Sequence, residues 1–81
     1  MRLDKYLKVS RIIKRRTVAN EACDAGRIEV NGRVVKASYE VKPGDIMTIK
    51  MGQHPIVAKV LSVSEHVGKD QAKELYEIME G

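Results

Sequence analysis

The sequence contains no phenylalanine or tryptophan, and it has only three tyrosines and one cysteine. With so few aromatic side chains, the core has to be built from aliphatic residues, and valine and isoleucine together supply 17 positions. Branched aliphatic residues favour strands over helices. The composition therefore predicts a mixture of helix and sheet and argues against a pure helix bundle.

The 81-residue chain also lacks a long apolar run and a second cysteine. No segment approaches the ~18 apolar residues of a membrane-spanning helix, and the basic N-terminus lacks the apolar stretch of a signal peptide. Cys23 cannot form an internal disulfide, which agrees with a reducing compartment. We therefore expect one cytoplasmic domain with a small core and little room for a deep cleft.

The residue types that often act in catalysis or bind metals are not grouped into any known motif in this sequence. Neither His54 nor His66 has the spaced neighbours of a zinc site, and the sequence contains no phosphate-binding glycine motif. Cys23 lies in a predicted helix and is typical of a buried structural thiol. Asp24 and Glu29 have no predicted pocket that would shift their pKa values. The sequence predicts no catalytic residue, no metal site and no cofactor, and hence no enzyme.

Positive charge is concentrated at the N-terminus. The net charge of the chain is +4, but residues 1–16 carry +6, residues 17–63 carry +1 and residues 64–81 carry −3. Crowding of cations costs self-repulsion in the free protein, and binding of a polyanion relieves it. The alternative is a solvated helix face, but such faces usually interleave several carboxylates, and Asp4 is the only one in this segment.

Apolar spacing in the first dozen residues predicts an amphipathic helix, with Leu3, Tyr6 and Leu7 on its buried face. If this helix continues, four cations gather on one side of it, because residues advance by 100° around a helix. These cations are Lys5, Lys8, Arg11 and Arg15.

A second helix is predicted from Val18 to Ala25, with Thr17 as its N-cap, because a threonine hydroxyl can accept a hydrogen bond from the first turn. Gly26 fits the left-handed position that ends such a helix. The basic run at residues 14–16 then forms an elbow between the two helices.

Downstream, a periodicity of two predicts a small antiparallel sheet. Asn31 and Gly32 form a strong signal for a two-residue hairpin turn. The register of this hairpin stays open, because Val34 and Val35 are adjacent and only one of them can share the buried face. Further strands are predicted at residues 46–50 and 56–63.

The last segment has apolar residues at i, i+3, i+4 and i+7, which predicts a C-terminal helix that packs on the same domain. These residues are Ala72, Leu75, Tyr76 and Met79. The expected architecture is α+β, with two short N-terminal helices on a small antiparallel sheet over residues 1–63 and this helix within residues 64–81.

Three motifs together resemble the S4 RNA-binding domain family: RLDKYL at residues 2–7, AGRIEVNG at residues 25–32 and VKPGD at residues 41–45. Their joint spacing carries the resemblance, which implies an S4-like fold with the αL motif of two helices. Among stand-alone members, the chain is similar to the small bacterial heat-shock protein of the fifteen-kilodalton class and to its short relative in ribosome-associated quality control.

The resemblance implies binding to RNA of the large ribosomal subunit and to peptidyl-tRNA after a stalled ribosome has split. It also implies a larger partner that adds a tail to the nascent chain, and we expect a ribosome-associated monomer. Family RNA contacts carry over to Arg2, Lys5, Arg11, Lys14, Arg15, Arg16 and Thr17. Asn31 is added because its amide at the hairpin tip could reach a ribose hydroxyl.

Other binding functions stay open at this point. Membrane-surface binding is less favoured, because the leucines and isoleucines of the basic segment are needed for the core. A ribosome assembly factor is one alternative. A small protein-interaction module, whose acidic C-terminal segment binds a basic partner, is the other.

Overall fold

The computed structural model describes residues 1–64 and 74–79, which form two helices and one antiparallel sheet. The strand order in the sheet is β2-β1-β3-β4-β5. The elements are α1 (Leu3–Val9), α2 (Arg16–Asp24), β1 (Ile28–Val30), β2 (Arg33–Val34), β3 (Ile46–Ile49), β4 (Ile56–Val60) and β5 (Tyr76–Met79). The predicted α+β class and the antiparallel sheet are confirmed.

One face of the sheet packs with the two helices into a single hydrophobic core. The strands contribute Ile28, Val30, Met47, Ile49, Ala58 and Val60, and the helices contribute Leu3, Tyr6, Leu7, Ala19, Ala22 and Cys23. Tyr6 lies in the core, as the sequence predicted, and is the largest fully buried side chain of the described residues. Because these core residues occupy one side of each helix, the polar side of both helices is left for solvent or a ligand.

The first helix is shorter than predicted. It ends at Val9, because Ser10 turns its hydroxyl back to donate to the carbonyl of Leu7 at 3.2 Å and Arg11 adopts a left-handed backbone with φ of 64°. The N–H of Ile13 then donates to the same Leu7 carbonyl at 3.1 Å. The expectation of a helix that continues through residue 12 and aligns four cations is therefore wrong.

The second helix starts earlier than predicted. Arg15 is its N-cap, with an extended backbone, and the carbonyl of Arg15 accepts the first helical hydrogen bond from Ala19 at 3.1 Å. Thr17 thus lies within the first turn, so its prediction as N-cap is wrong. Gly26 follows the helix with φ of 74°, which confirms the predicted left-handed end.

The predicted hairpin between β1 and β2 is confirmed. Asn31 and Gly32 have φ values of 54° and 82°, and their neighbours Val30 and Arg33 pair directly. Val34 pairs with Glu29 and is 61% exposed on the outer face of the sheet. Val35, not Val34, packs against the core, which decides the register that the sequence left open.

The predicted C-terminal helix is wrong for Tyr76–Met79, which form β5 along the edge of β4. The pairing satisfies backbone groups that β4 would otherwise leave open, and such a demand overrides a helical spacing of apolar residues. Ala72 and His66 lie outside the described residues. Within residues 1–64 and 74–79, no helix has the length and apolar character to cross a membrane.

Candidate RNA-binding surface

The cations of α1 and α2 are organised around one buried carboxylate. Asp4, in the first turn of α1, is only 2% exposed. Its Oδ1 accepts hydrogen bonds from the backbone N–H of Lys5 at 2.8 Å and from Arg2 Nε at 3.2 Å. Its Oδ2 lies 3.3 Å from Arg16 Nε and accepts a hydrogen bond from Asn20 Nδ2 at 3.3 Å. We call Asp4, Arg2, Arg16 and Asn20 the Asp4 cluster.

The Asp4 cluster keeps its carboxylate ionised. Burial favours the neutral acid, but hydrogen bonds from Asn20, Arg16 and the Lys5 N–H, together with the charge of Arg16, outweigh burial and lower the pKa of Asp4 below its usual 3.8. The side chains of Arg2 and Arg16 stay 49% and 45% exposed. Two guanidinium groups are thus held in place from the inside while about half of each faces solvent, where phosphate oxygens can bind in pairs.

The elbow between the helices carries a second group of cations, Arg11, Lys14 and Arg15, all of them exposed. Their side chains make no hydrogen bond or ion pair within residues 1–64 and 74–79. No carboxylate in that part of the chain has to be displaced before these three cations bind an anion. Among the described residues, the elbow is therefore the place where the positive charge of residues 1–16 is least compensated.

The two helix N-termini differ in their access to a ligand. At α1, the N–H groups of Leu3 and Asp4 donate to the carbonyls of Tyr39 and Ala37 at 2.8 and 3.1 Å, so the loop before β3 closes this end. At α2, the N-cap Arg15 makes no side-chain capping hydrogen bond. The positive end of α2 therefore adds to the charge of the elbow.

A shallow groove runs from the Asp4 cluster along α2. It has a volume of about 370 Å³, and Thr17 and Glu21 line it beside Asp4, Arg16 and Asn20. Thr17 offers an exposed hydroxyl at the start of α2, next to Arg16. Glu21 places a carboxylate at the groove, which restricts an anion to the end nearer Arg16.

Most of the predicted RNA-binding residues are brought together by the two helices. Arg2 and Arg16 meet at Asp4, half-buried Lys5 follows on α1, and Thr17 follows on α2. Arg11, Lys14 and Arg15 occupy the elbow. Asn31 belongs to the hairpin of β1 and β2 and not to the helices.

Asn31 has a structural role at the hairpin. Its Nδ2 donates to Asp45 Oδ1 at 3.2 Å, and its Oδ1 accepts from the Ile46 N–H at 3.0 Å. Its own N–H donates to the Ile46 carbonyl at 2.8 Å. These bonds join the hairpin to the start of β3. A contact between Asn31 and a ribose hydroxyl stays a prediction.

Sequence reasoning missed Asp4 and Asn20 as members of the site. A signal for Asp4 was present, since a lone carboxylate among seven cations in residues 1–16 has many opposite charges to pair with. No comparable signal exists for Asn20, because it lies 16 positions after Asp4 and contacts it only once the two helices have packed together.

The thiol of Cys23 is unsuited to nucleophilic chemistry at neutral pH. Cys23 is buried, and desolvation, with smaller effects from the charges of Asp4 and Asp24, raises the pKa of its thiol to about 11. The thiol is therefore protonated at neutral pH, and the predicted burial of Cys23 is confirmed. In the part of the chain that the structure describes, no cluster of histidine, cysteine or carboxylate side chains could hold a metal ion.

Known proteins resemble this chain in sequence over nearly its whole length. The RQC P-site tRNA stabilizing factor of Halalkalibacterium halodurans is 54% identical over 78 residues, covering 96% of this chain and 89% of that protein. The protein of the same name from Bacillus subtilis is 49% identical over 79 residues, covering 98% of this chain and 92% of that protein.

A solved structure shares the whole fold. The trimeric structure of heat shock protein 15 from Vibrio cholerae superposes with a TM-score of 0.90 at 29% identity, covering 98% of this chain and 81% of that chain. A family model described as the S4 domain matches residues 1–46, which include both helices, the elbow and the hairpin. The chain therefore belongs to the S4 domain family.

Proposed function

We propose that this protein is a non-catalytic RNA-binding adaptor in ribosome-associated quality control. It binds peptidyl-tRNA and ribosomal RNA on the large subunit that is left after a stalled ribosome splits. There it supports a larger factor that adds a tail to the stalled chain. The name of the relatives from Halalkalibacterium halodurans and Bacillus subtilis, RQC P-site tRNA stabilizing factor, supports binding to tRNA and a role in this pathway.

The observation that carries the proposal is that two groups of cations lie together on one surface of the two helices. The Asp4 cluster holds Arg2 and Arg16 in fixed positions, and the elbow beside them presents three cations that have no ion pair within residues 1–64 and 74–79. A fixed guanidinium loses little side-chain entropy when it binds, whereas unpaired cations add attraction over a longer range. Both properties suit a folded RNA whose phosphates have a set spacing.

Recognition by shape and phosphate position fits the side chains available. A-form RNA hides the base edges of its major groove, and readout of unpaired bases usually needs exposed aromatic rings. Tyr6 is fully buried, and the hydroxyl of half-buried Tyr39 donates to Asp45 at 3.1 Å. Tyr76 is half-buried as well, so none of the three tyrosines is a fully exposed aromatic ring, and we expect affinity to follow RNA architecture more than sequence.

The direct test is co-sedimentation of the tagged protein with purified large subunits that carry peptidyl-tRNA, over a series of salt concentrations. Each phosphate contact should add about 0.7 to 0.9 to the slope of log affinity against log salt. Arg16→Ala should weaken binding by ~1–3 kcal/mol and flatten that slope by about one. Arg16→Lys should recover part of the loss, because it keeps the charge without the planar fork.

Arg15→Ala is the matched variant for Arg16→Ala. Both remove one cation from adjacent positions, but Arg15 has no partner within the described residues whereas Arg16 contacts buried Asp4. We expect Arg15→Ala to reduce binding with unchanged unfolding, and Arg16→Ala also to lower the free energy of unfolding by about 1 kcal/mol. If a variant that carries both Arg15→Ala and Arg16→Ala co-sediments like the wild type at moderate salt, this surface does not bind the RNA.

A further inference from the structure

Both helices end through a residue with a left-handed backbone, and α2 does so with glycine. Gly26 has φ of 74°, and its N–H donates to the carbonyl of Cys23 at 3.0 Å. The next N–H, of Arg27, donates to the carbonyl of Ala22 at 2.9 Å. These two bonds define the usual glycine-based end of a helix, in which the missing Cβ avoids a clash with the backbone.

The same position at the end of α1 is occupied by arginine. Arg11 follows the C-cap Ser10, has φ of 64°, and donates its N–H to the carbonyl of Lys8 at 3.0 Å. This bond corresponds to the bond of Gly26 in α2, although the next bond of α1 comes from Ile13, one position later than that of Arg27. The two helix ends therefore share the left-handed residue and its hydrogen bond, but only α1 places a long side chain there.

Arginine is an unfavourable residue for this conformation. A left-handed backbone brings the Cβ of an L-residue close to the carbonyl oxygen, and only glycine, or a short side chain such as asparagine, adopts it readily. Asn31, the other non-glycine residue with positive φ in the described part, belongs to that tolerant class. The exposed side chain of Arg11 makes no hydrogen bond or ion pair with residues 1–64 or 74–79 that would offset the strain.

We propose that the left-handed backbone of Arg11 lowers the stability of the fold but directs the side chain outward from the elbow. There its guanidinium binds a phosphate of the RNA backbone. The left-handed backbone sets the direction in which the side chain leaves the chain between the two helices. A glycine there would improve the fold and remove the contact. This inference rests on the proposed RNA-binding function and assigns to one residue a measurable conflict between stability and binding.

The decisive variant is Arg11→Gly, examined by thermal unfolding and by co-sedimentation with large subunits carrying peptidyl-tRNA. Relief of the strain exceeds the entropy that glycine adds to the unfolded chain, so Tm should rise by roughly 2–6 °C. RNA affinity should fall about five- to tenfold, with a salt slope reduced by about one. Arg11→Ala should lose the same affinity without the rise in Tm, and Arg11→Lys should retain most of the binding.

Gly26→Ala is the matched control at the end of α2. The added Cβ would lie 3.9 Å from Val34 Cγ1, which is an ordinary contact, so the backbone angle alone determines its effect. We expect this variant to lower Tm by an amount similar to the gain in Arg11→Gly and to bind RNA as the wild type does. It calibrates the cost of a side chain at this kind of helix end.

Two results would overturn the inference. An Arg11→Gly protein with an unchanged or lower Tm would show that no strain is relieved, and an affinity within twofold of the wild type would show that Arg11 makes no phosphate contact. Failure of the underlying function is recognised separately. In that case the Arg15→Ala and Arg16→Ala proteins would also bind RNA normally. If those two variants lose RNA binding but Arg11→Gly does not, only the role of Arg11 is refuted.

Discussion

Asp4 shows how a single side chain can serve the fold and the surface together. The carboxylate lies within the S4 motif RLDKYL, and among residues 1–64 and 74–79 it is the one buried charge, which joins α1 to α2 through Arg16 and Asn20. A buried carboxylate is stable only when it is paired and hydrogen-bonded, and here two of its partners, Arg2 and Arg16, are residues predicted to bind RNA. Removal of the charge should therefore affect stability first and RNA binding through the displaced arginines.

The role of Asp4 in stability can be tested by pH. Because its pKa is lower in the folded protein than its usual 3.8, the stabilisation is present above that value and is lost as pH falls through the folded-state pKa. Asp4→Asn should cost roughly 2 kcal/mol of unfolding free energy at neutral pH. In urea unfolding series, the difference between the wild type and the variant should be constant above about pH 5 and should shrink below pH 4.

Asp24→Asn is the control for this measurement, because Asp24 is exposed at the end of α2. It should change the free energy of unfolding little at any pH. A difference between the wild type and Asp4→Asn that persists unchanged to pH 2 would mean that the charge of Asp4 is not what stabilises the cluster.

At the scale of elements, both helices are too short to be stable alone. They contain 7 and 9 residues, below the ~12–15 at which an isolated helix becomes even marginal in water. Their stability has to come from packing on the sheet and from the cross-helix bonds of Asp4. This explains why helical periodicity located the helices but did not determine where each begins and ends.

The hairpin between β1 and β2 should be a structural element and not a contact surface. Gly32 has φ of 82° with open space around the position of a Cβ, so Gly32→Ala introduces backbone strain without a clash. We expect a loss of ~1–2 kcal/mol in unfolding free energy, measured by urea titration, with RNA affinity preserved in the folded protein. Loss of RNA binding at unchanged stability would instead assign the turn to the interface.

The C-terminal strand should depend on a contact with α1. The Tyr6 hydroxyl donates to the Leu75 carbonyl at 2.5 Å, and that carbonyl also accepts from the N–H groups of Leu61 and Ser62. Tyr6→Phe removes one bond from this buried junction and should cost about 1 kcal/mol. Hydrogen exchange should show faster opening of β5, and an equal effect on β1 would mean that the contact is not specific to the C-terminal strand.

Tyr39→Phe is a matched control for Tyr6→Phe. It also removes a single tyrosine hydroxyl, but one that bonds to Asp45 near the start of β3. Exchange in β5 should be unaffected by this variant.

On the scale of the whole molecule, the charges are arranged with opposite signs at the two ends of the chain. The cations of residues 1–16 lie on α1, the elbow and the start of α2, whereas the exposed Glu74 and Glu77 lie just before and within β5. Glu80, the remaining glutamate of that end, lies outside the described residues. Carboxylates add only repulsion toward a polyanion, so they are not expected to contribute to RNA affinity.

Neutralisation of the acidic end therefore separates the two classes of function left open by the sequence. Glu74→Gln with Glu77→Gln should leave co-sedimentation with large subunits equal or slightly tighter, since two repulsive charges are removed. A marked loss of association would favour a protein contact through β5. Lys59→Gln, which removes one exposed cation from β4, serves as the comparison variant because it changes the charge of the same sheet.

Local chemistry in the sequence determined the α+β class, the antiparallel sheet, the hairpin, the left-handed glycine after α2, the buried thiol and the basic surface on two helices. These features follow from neighbours a few positions apart: a turn needs positive φ at Asn31 and Gly32, and an apolar stripe needs one face to be buried.

Only the tertiary structure decided the features that depend on partners far apart in the chain. Arg16 is bound to Asp4 across two helices, and α2 starts at Arg16, earlier than Thr17 would have placed it as N-cap. Tyr76–Met79 form a strand because the edge of β4 offers backbone groups that a helix would leave unpaired. Long-range hydrogen bonds and buried charge have no period in the sequence, so their effect becomes visible only once the chain has folded.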